Sequence, residues 1–335
     1  MSDADFSSLS HAVRRRFTKD HGLPIQIVQD PYFGHMLDLF EPFFGCRSKL
    51  ALLLDEVRDC GSEDAFFSRS DRLIDTVCDA IQATESYQRF SQDDLDRYTL
   101  DPSRYGSDSL YHPDNDGRAI IAVDLVKANY QALRYHDPAL VLDTFRYAEL
   151  VSRFTDRPYH RQSKPIRQVI FGRLQPKKQQ RIQRWIVRHL MDKVAGLRGI
   201  GGGVREVSAD EFAVVSNDRA ALEGFVVVTS DARLERDLAA IREALAATPF
   251  EYRATPYRLH QLAGTSFYVK VFFDGRLPEP KCVPSFCLPQ VLRHLTDQPI
   301  RQGDLVFFHE GFPAQYRRPV LQGYEQDGEV WRRAI

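Results

Sequence analysis

Ala119-Ile-Ile-Ala-Val-Asp-Leu125 is the stretch that most restricts the fold. Seven residues, mostly apolar and rich in β-branched side chains, are too few for a buried helix and read as a buried strand. Gly224-Phe-Val-Val-Val-Thr229 has the same character, and Ser266-Phe-Tyr-Val-Lys-Val-Phe-Phe273 returns to strand. Helical spacing separates these runs. One helix follows β-like 119–125 through Ala128, Leu133 and Tyr135. A second begins at Pro176, a residue accepted in a first helical turn, with a stripe of Ile182, Trp185, Ile186, His189 or Leu190, and Val194. A third carries Leu234, Leu238, Ile241 and Leu245. Strands interleaved with helices in this order predict an α+β fold, with helices packed on an antiparallel sheet.

The flanks differ. Residues 1–110 read as a helical N-terminal region, with apolar spacing such as Leu50, Leu53, Leu54, Val57 and Leu73, Ile74, Val77, Ile81. The turn-rich Tyr111-His-Pro-Asp-Asn-Asp-Gly-Arg118 leads into the first strand. Prolines 278, 280, 284 and 289 mark a boundary, so the expected division is a core of 119–275 with a helical insertion over 137–198, then a small module over 276–335.

Composition excludes some classes. A chain with 43% hydrophobic and 27% charged residues is folded rather than disordered. No apolar run spans a bilayer, and the N-terminus has no apolar core behind its basic residues, so no membrane partner is expected and a cytoplasmic compartment is the default. Cys282 and Cys287 could be half of a zinc site, but no second Cys or His pair stands at a suitable distance, so the five cysteines read as scattered thiols. Net charge is −1, yet residues 151–200 carry thirteen Lys and Arg against two acids, Asp156 and Asp192. That segregation suggests a polyanion-binding face, with a solvated helical face as the plain alternative. Its expected nucleic-acid contacts are Arg173, Lys177, Lys178, Arg181, Arg184 and Arg188.

Val204-Arg-Glu-Val-Ser-Ala-Asp-Glu-Phe-Ala-Val-Val215 places adjacent acids, Asp210 and Glu211, between two strand-like runs. Neighbouring carboxylates repel and are costly to bury, so they sit either in an exposed turn or on a metal ion. Asp124 ends the first strand. If that strand lies beside the 204–215 hairpin, Asp124 and Asp210 can share a divalent ion. Hard oxygen donors suit Mg²⁺, or Mn²⁺, which keeps waters and takes further ligands from substrate phosphates.

These residues resemble the palm of right-hand template-directed polymerases: reverse transcriptases, viral RNA-dependent RNA polymerases and family A enzymes. Val123-Asp-Leu-Val-Lys-Ala-Asn-Tyr130 looks like the first palm motif, an Asp ending a strand before a short helix. Ser208-Ala-Asp-Glu211 is similar to the third motif, an acid pair at a hairpin turn. The helix over 234–245 and strand over 266–273 resemble the elements that follow, while strand 224–229 belongs to neither pattern. Lys164-Pro-Ile-Arg-Gln-Val-Ile-Phe-Gly172 resembles the family A fingers helix that grips the triphosphate. The resemblance covers roughly half of the chain.

It implies a polymerase-like palm with residues 1–110 as a fingers-like region. It also implies two-metal nucleotidyl transfer with nucleic-acid template and product and nucleoside triphosphates as partners. Asp124 and Asp210 would be the metal ligands, Glu211 a catalytic or supporting acid, and Lys127, Asn129, Lys164 and Arg167 the substrate contacts. The residue five after the first Asp lies under the incoming ribose in such palms. Here it is Asn129, whose amide can bond a 2′-hydroxyl, so RNA synthesis is favoured. Two other readings stand beside this one. A palm-like protein that binds nucleic acid without catalysis would survive loss of Asp210. A nucleotidyl cyclase-like palm is suggested by Ala209-Asp-Glu-Phe212, although Ser208 and Ala209 replace that family's paired glycines.

Overall fold

A computed structural model describes residues 9–21, 23, 32–101, 110–206, 224–309 and 312–334. Five helices come first: α1 (His11–His21), α2 (Tyr32–Phe44), α3 (Cys46–Cys60), α4 (Glu63–Gln82) and α5 (Glu85–Gln92). α4 shows why they form. The Ser62 hydroxyl accepts from the Ala65 amide at 3.1 Å, Glu63 and Asp64 face the positive end of the helix dipole, and Phe66, Leu73, Ile74, Val77 and Ile81 recur on one buried face.

β1 (Ala119–Leu125) follows, then α6 (Ala128–His136), α7 (Tyr147–Ser152), α8 (Pro158–Gln162), α9 (Lys164–Gly172) and α10 (Pro176–Ala195). Next come β2 (Val204–Glu206), β3 (Gly224–Thr229), α11 (Asp231–Ala246), β4 (Tyr252–Gln261), β5 (Tyr268–Phe272) and β6 (Glu279–Lys281). These six strands form one sheet in the order β2-β3-β1-β4-β5-β6, antiparallel at every pairing. The chain is therefore α+β, as its pattern of runs predicts.

Alternation along β1 divides the sheet into two unlike faces. Ala119, Ile121, Val123 and Leu125 join the main core together with Leu133, Ile186, Leu190, Leu238 and Ile241 from α6, α10 and α11. Ile120 and Ala122 point the other way, into a smaller cluster with Leu110, Val226, Tyr257, Leu259 and Tyr268. Among the described residues no helix side chain belongs to this cluster, so we call the second face the open face, although Ile120, Val226, Tyr257 and Leu259 are fully buried in it.

Two features differ from the sequence expectations. Strand 224–229 is not an addition to the sheet: β3 is the direct neighbour of both β2 and β1. The expected hairpin partner of β2 within 212–215 lies outside the described residues. β4 was not expected at all. Pro256 lacks an amide to donate, and Arg253, Arg258 and His260 break the apolar pattern, yet Tyr252 to Arg258 of this strand pair with all of β1. The sheet also continues past position 275, since β6 pairs with β5.

The remaining C-terminal elements are α12 (Leu288–Leu295), β7 (Ile300–Arg301), β8 (Val306–His309), β9 (Phe312–Gln315), β10 (Tyr324–Asp327) and β11 (Val330–Arg333). They are pinned to the helical region by Asp304. This fully buried carboxylate accepts from Arg293 Nε at 3.0 Å and the Arg301 amide at 2.8 Å, and lies 3.1 Å from His35 Nε2 of α2. No helix among the described residues is long and apolar enough to cross a membrane.

Candidate active site

Asp124 is the only β1 residue that is not fully buried, and its pairing explains why. It stands opposite Gly224 of β3 and Arg253 of β4. Alternation from Ile120 and Ala122 puts its carboxylate on the open face, away from the helices. The glycine brings no side chain beside that carboxylate, and the arginine on the other side supplies positive charge. β2 ends with Glu206 opposite Phe225, so the chain leaves β2 and re-enters β3 at the Asp124 end of the sheet. Asp210 and Glu211 belong to the connection between those points and lie outside the described residues.

The turn after Asp124 is held by backbone and amide bonds. The Val126 amide donates to the Glu251 carbonyl at 3.0 Å. Gln131 of α6 donates to the carbonyls of Val126 and Glu251 and accepts from the Glu251 amide at 2.8 Å. One side chain thus locks the β1–α6 turn to the α11–β4 connection.

Lys127 occupies this turn in the left-handed region, φ 52°. Its amine lies 5.7 Å from the centre of the Tyr147 ring, and the Arg167 guanidinium lies 5.8 Å from the same centre. Burial and the charges of Arg167 and Arg146 lower the Lys127 pKa, against an opposing pull from Glu251. Two cations, Lys127 and Arg167, therefore gather at one buried tyrosine, with the Arg146 charge felt by Lys127. Burial also raises the Tyr147 pKa, so its hydroxyl stays protonated. Lys164 begins α9 one turn before Arg167 and is exposed. Ser163 caps that helix by accepting from the Ile166 amide at 3.4 Å, and Pro165 fits its first turn.

Asn129 lies on the first turn of α6, where its side-chain oxygen accepts from Gln183 of α10. That bond fixes which end of the amide faces the helix and leaves its NH₂ as the outward group.

The six basic residues expected to hold nucleic acid separate into two groups. Arg173 pairs with Asp75 of α4 at 2.5 Å. Lys178 donates to three carbonyls at the end of α5, those of Phe90 and Ser91 at 2.8 Å and Asp93 at 2.5 Å. Arg181 binds the Asp94 carbonyl at 2.7 Å and the Thr99 hydroxyl at 3.0 Å. Arg188 pairs with Glu206 at the end of β2. Lys178, Arg181 and Arg188 tie α10 to the rest of the fold, and Arg173 ties the end of α9 to α4. Lys177 and Arg184 are exposed on the same helix. Trp185 is not an open stacking platform, because Tyr135 stacks at 5.5 Å and His189 at 5.4 Å. His189 is exposed and Leu190 buried, which settles the core stripe.

The donor set can be compared with the expected Mg²⁺. A half-buried carboxylate near a strand end is a hard oxygen ligand of the right kind, and such ions need only one or two. Among the described residues no three His, Cys, Asp or Glu side chains cluster as metal ligands. Arg146, Arg253, Tyr147, Gln131 and Gln183 escaped the sequence reading, since each reaches the site only through tertiary packing. No family model, curated protein or solved structure matches this chain.

Proposed function

We propose that the chain is a Mg²⁺-dependent nucleotidyltransferase of the polymerase palm type, with ribonucleotides favoured. The observation that carries this reading is the placement of Asp124. It stands half-buried on the sheet face turned away from α6, α10 and α11, at the end where β2 stops and β3 begins. Asp124 and Asp210 would hold the ion, which when bound supplies charge neutralisation at the reacting phosphate and a more acidic attacking hydroxyl.

The chain's own residues then have distinct tasks. Lys127 and Arg167, with Lys164 and Arg146, would neutralise the triphosphate and hold it in line for displacement of pyrophosphate. The lowered Lys127 pKa fits a group whose charge is poorly matched until an anion arrives. Asn129, oriented by Gln183, would donate its NH₂ to the ribose. Lys177 and Arg184 would meet the nucleic-acid backbone without reading sequence.

The test is incorporation of labelled NTPs or dNTPs on primed and unprimed RNA and DNA templates, with Mg²⁺ or Mn²⁺. Template-dependent product is expected from the parent chain. Asp124→Asn and Asp210→Ala should each reduce it by at least about a hundredfold. Product that persists in both variants would remove the acids from catalysis. No product under any condition, with salt-sensitive nucleic-acid binding intact in Asp210→Ala, would leave a binding protein without catalysis.

A further inference from the structure

A cavity bounded by described residues runs along the open face from the end of the sheet remote from Asp124. Its volume is about 820 Å³. The start of β1 and the end of β3 mark this end of the sheet, with Ala119 opposite Thr229. The cavity floor reaches Val226, which pairs with Ala122, two strand residues or roughly 7 Å from Asp124. The floor is apolar, formed by Val226 and Val228 with Leu110 and Ile200 beside them. The rim is cationic, formed by Arg118, Arg205 and Arg233.

These cations are not cancelled by the acids around them. Arg118 is exposed and makes no side-chain hydrogen bond or ion pair among the described residues. Arg205 reaches only carbonyls, Gly202 at 2.8 Å and Val204 at 3.0 Å. Arg233 donates to the Gly199 carbonyl and lies 3.6 Å from Asp237. Asp237 is buried and already accepts from Thr229 at 2.6 Å and from Arg236 at 3.1 Å. Asp114, the other acid at the rim, lies 3.4 Å from His112.

Two backbone features add donors. Ser230 begins α11 without a side-chain cap, so the first amides of this sixteen-residue helix face the cavity wall unmet by that side chain. The Gly201–Gly203 turn forms the adjoining wall, and a Cβ on Gly203 would run into the Val228 carbonyl oxygen. A Cβ on Gly202 would meet nothing within 4 Å, so this glycine leaves space rather than filling it.

We propose that this cavity binds a nucleoside phosphate, with phosphate oxygens on Arg118, Arg205 and the α11 N-terminus and the nucleoside against the valine floor. Cavity size matches such a ligand, whereas an inorganic anion would leave the apolar floor unused. Guanidinium forks and helix amides are the donors that recognise phosphate. Asp124 is not among the residues that line the cavity, and the proposal does not rest on the proposed polymerase activity.

Isothermal titration calorimetry of the full chain with ADP, GDP, CDP and UDP, in EDTA to silence the metal-dependent end, tests this. Saturable binding of at least one of them, one per chain, is expected. Arg118→Ala should weaken it at least about tenfold. Gly202→Val, which intrudes on the cavity beside Arg205 at unchanged charge, should weaken it at least about tenfold while circular dichroism and Tm stay at parent values. Asp124→Asn should leave affinity unchanged. The proposal fails if none of the four saturates at millimolar concentration. It fails equally if Arg118→Ala binds like the parent, or if Asp124→Asn alone removes binding. Should only a single-stranded oligonucleotide bind and depend on Arg118, the cavity is part of a strand path and not a nucleotide site.

Discussion

Lys127 shows how a single residue can oppose folding. It adopts positive φ without being glycine, and its amine is partly buried beside Arg167 and Arg146. Left-handed backbone is disfavoured for most side chains and is tolerated best by Gly and Asn. Lys127→Asn should therefore raise Tm by a degree or two, about 0.5 kcal/mol after solvent screening, while weakening nucleotide incorporation. A lowered Tm would mean that the amine stabilises the turn. His160 of α8 is the second informative residue. It is fully buried, with Ser70 Oγ at 3.4 Å and Glu56 at 4.0 Å. Burial, with the charges of Arg16, Arg69 and Arg157, lowers its pKa from 6.5 to about 4. The native state thus holds this imidazole neutral. Its contribution is complete above pH 6.5 and is lost as pH falls toward 4, because the unfolded chain then takes up the proton first. Urea denaturation at pH 7 and pH 5 should differ by about 2 kcal/mol from this group. His160→Gln should flatten that difference, and an unchanged slope would assign the acid sensitivity elsewhere.

At the scale of elements, α10 separates structural from accessible charge. Lys178→Met removes three bonds at the end of α5, so it should cost about 1–3 kcal/mol in denaturant melts and leave the salt dependence of nucleic-acid binding nearly unchanged. Lys177→Ala and Arg184→Ala should do the reverse, each lowering the salt slope by about one with stability within about 0.5 kcal/mol of the parent. Equal effects of all three on binding would contradict this division. The sequence showed that the helix is basic and amphipathic, because both follow from local spacing. It could not show which cations are engaged, since the partners of Lys178 lie more than eighty positions away. The sheet was legible to a similar extent. β1, β3 and β5 announce themselves by β-branched runs. β4 is hidden by Pro256 and its charges, and β2 is only three residues long. That Asp124 faces away from the helices was not legible, because β1 is apolar on both faces and nothing in its alternation tells one from the other.

Across the whole molecule, Asp304 joins what is distant in sequence. It gathers Arg293, the Arg301 amide and His35, linking the C-terminal strands to α2. Removing one member of a buried charged group leaves the others unmet, so Asp304→Ala should cost about 3–5 kcal/mol. Limited proteolysis should then cut within 296–334 before the sheet, whereas simultaneous cleavage throughout would mean that the molecule unfolds as one unit. The compositional asymmetry of the basic block is also a whole-molecule property: Arg173, Lys178 and Arg188 meet acids or carbonyls on α4, at the end of α5 and on β2. The two faces of the sheet carry one more consequence, for heredity. Because side chains alternate, losing or gaining a single codon within 119–123 would swing Asp124 into the helical core and expose the residues that fill it. Length variation should therefore be purged from that short interval in natural variants, even where substitutions of one aliphatic residue for another pass unnoticed.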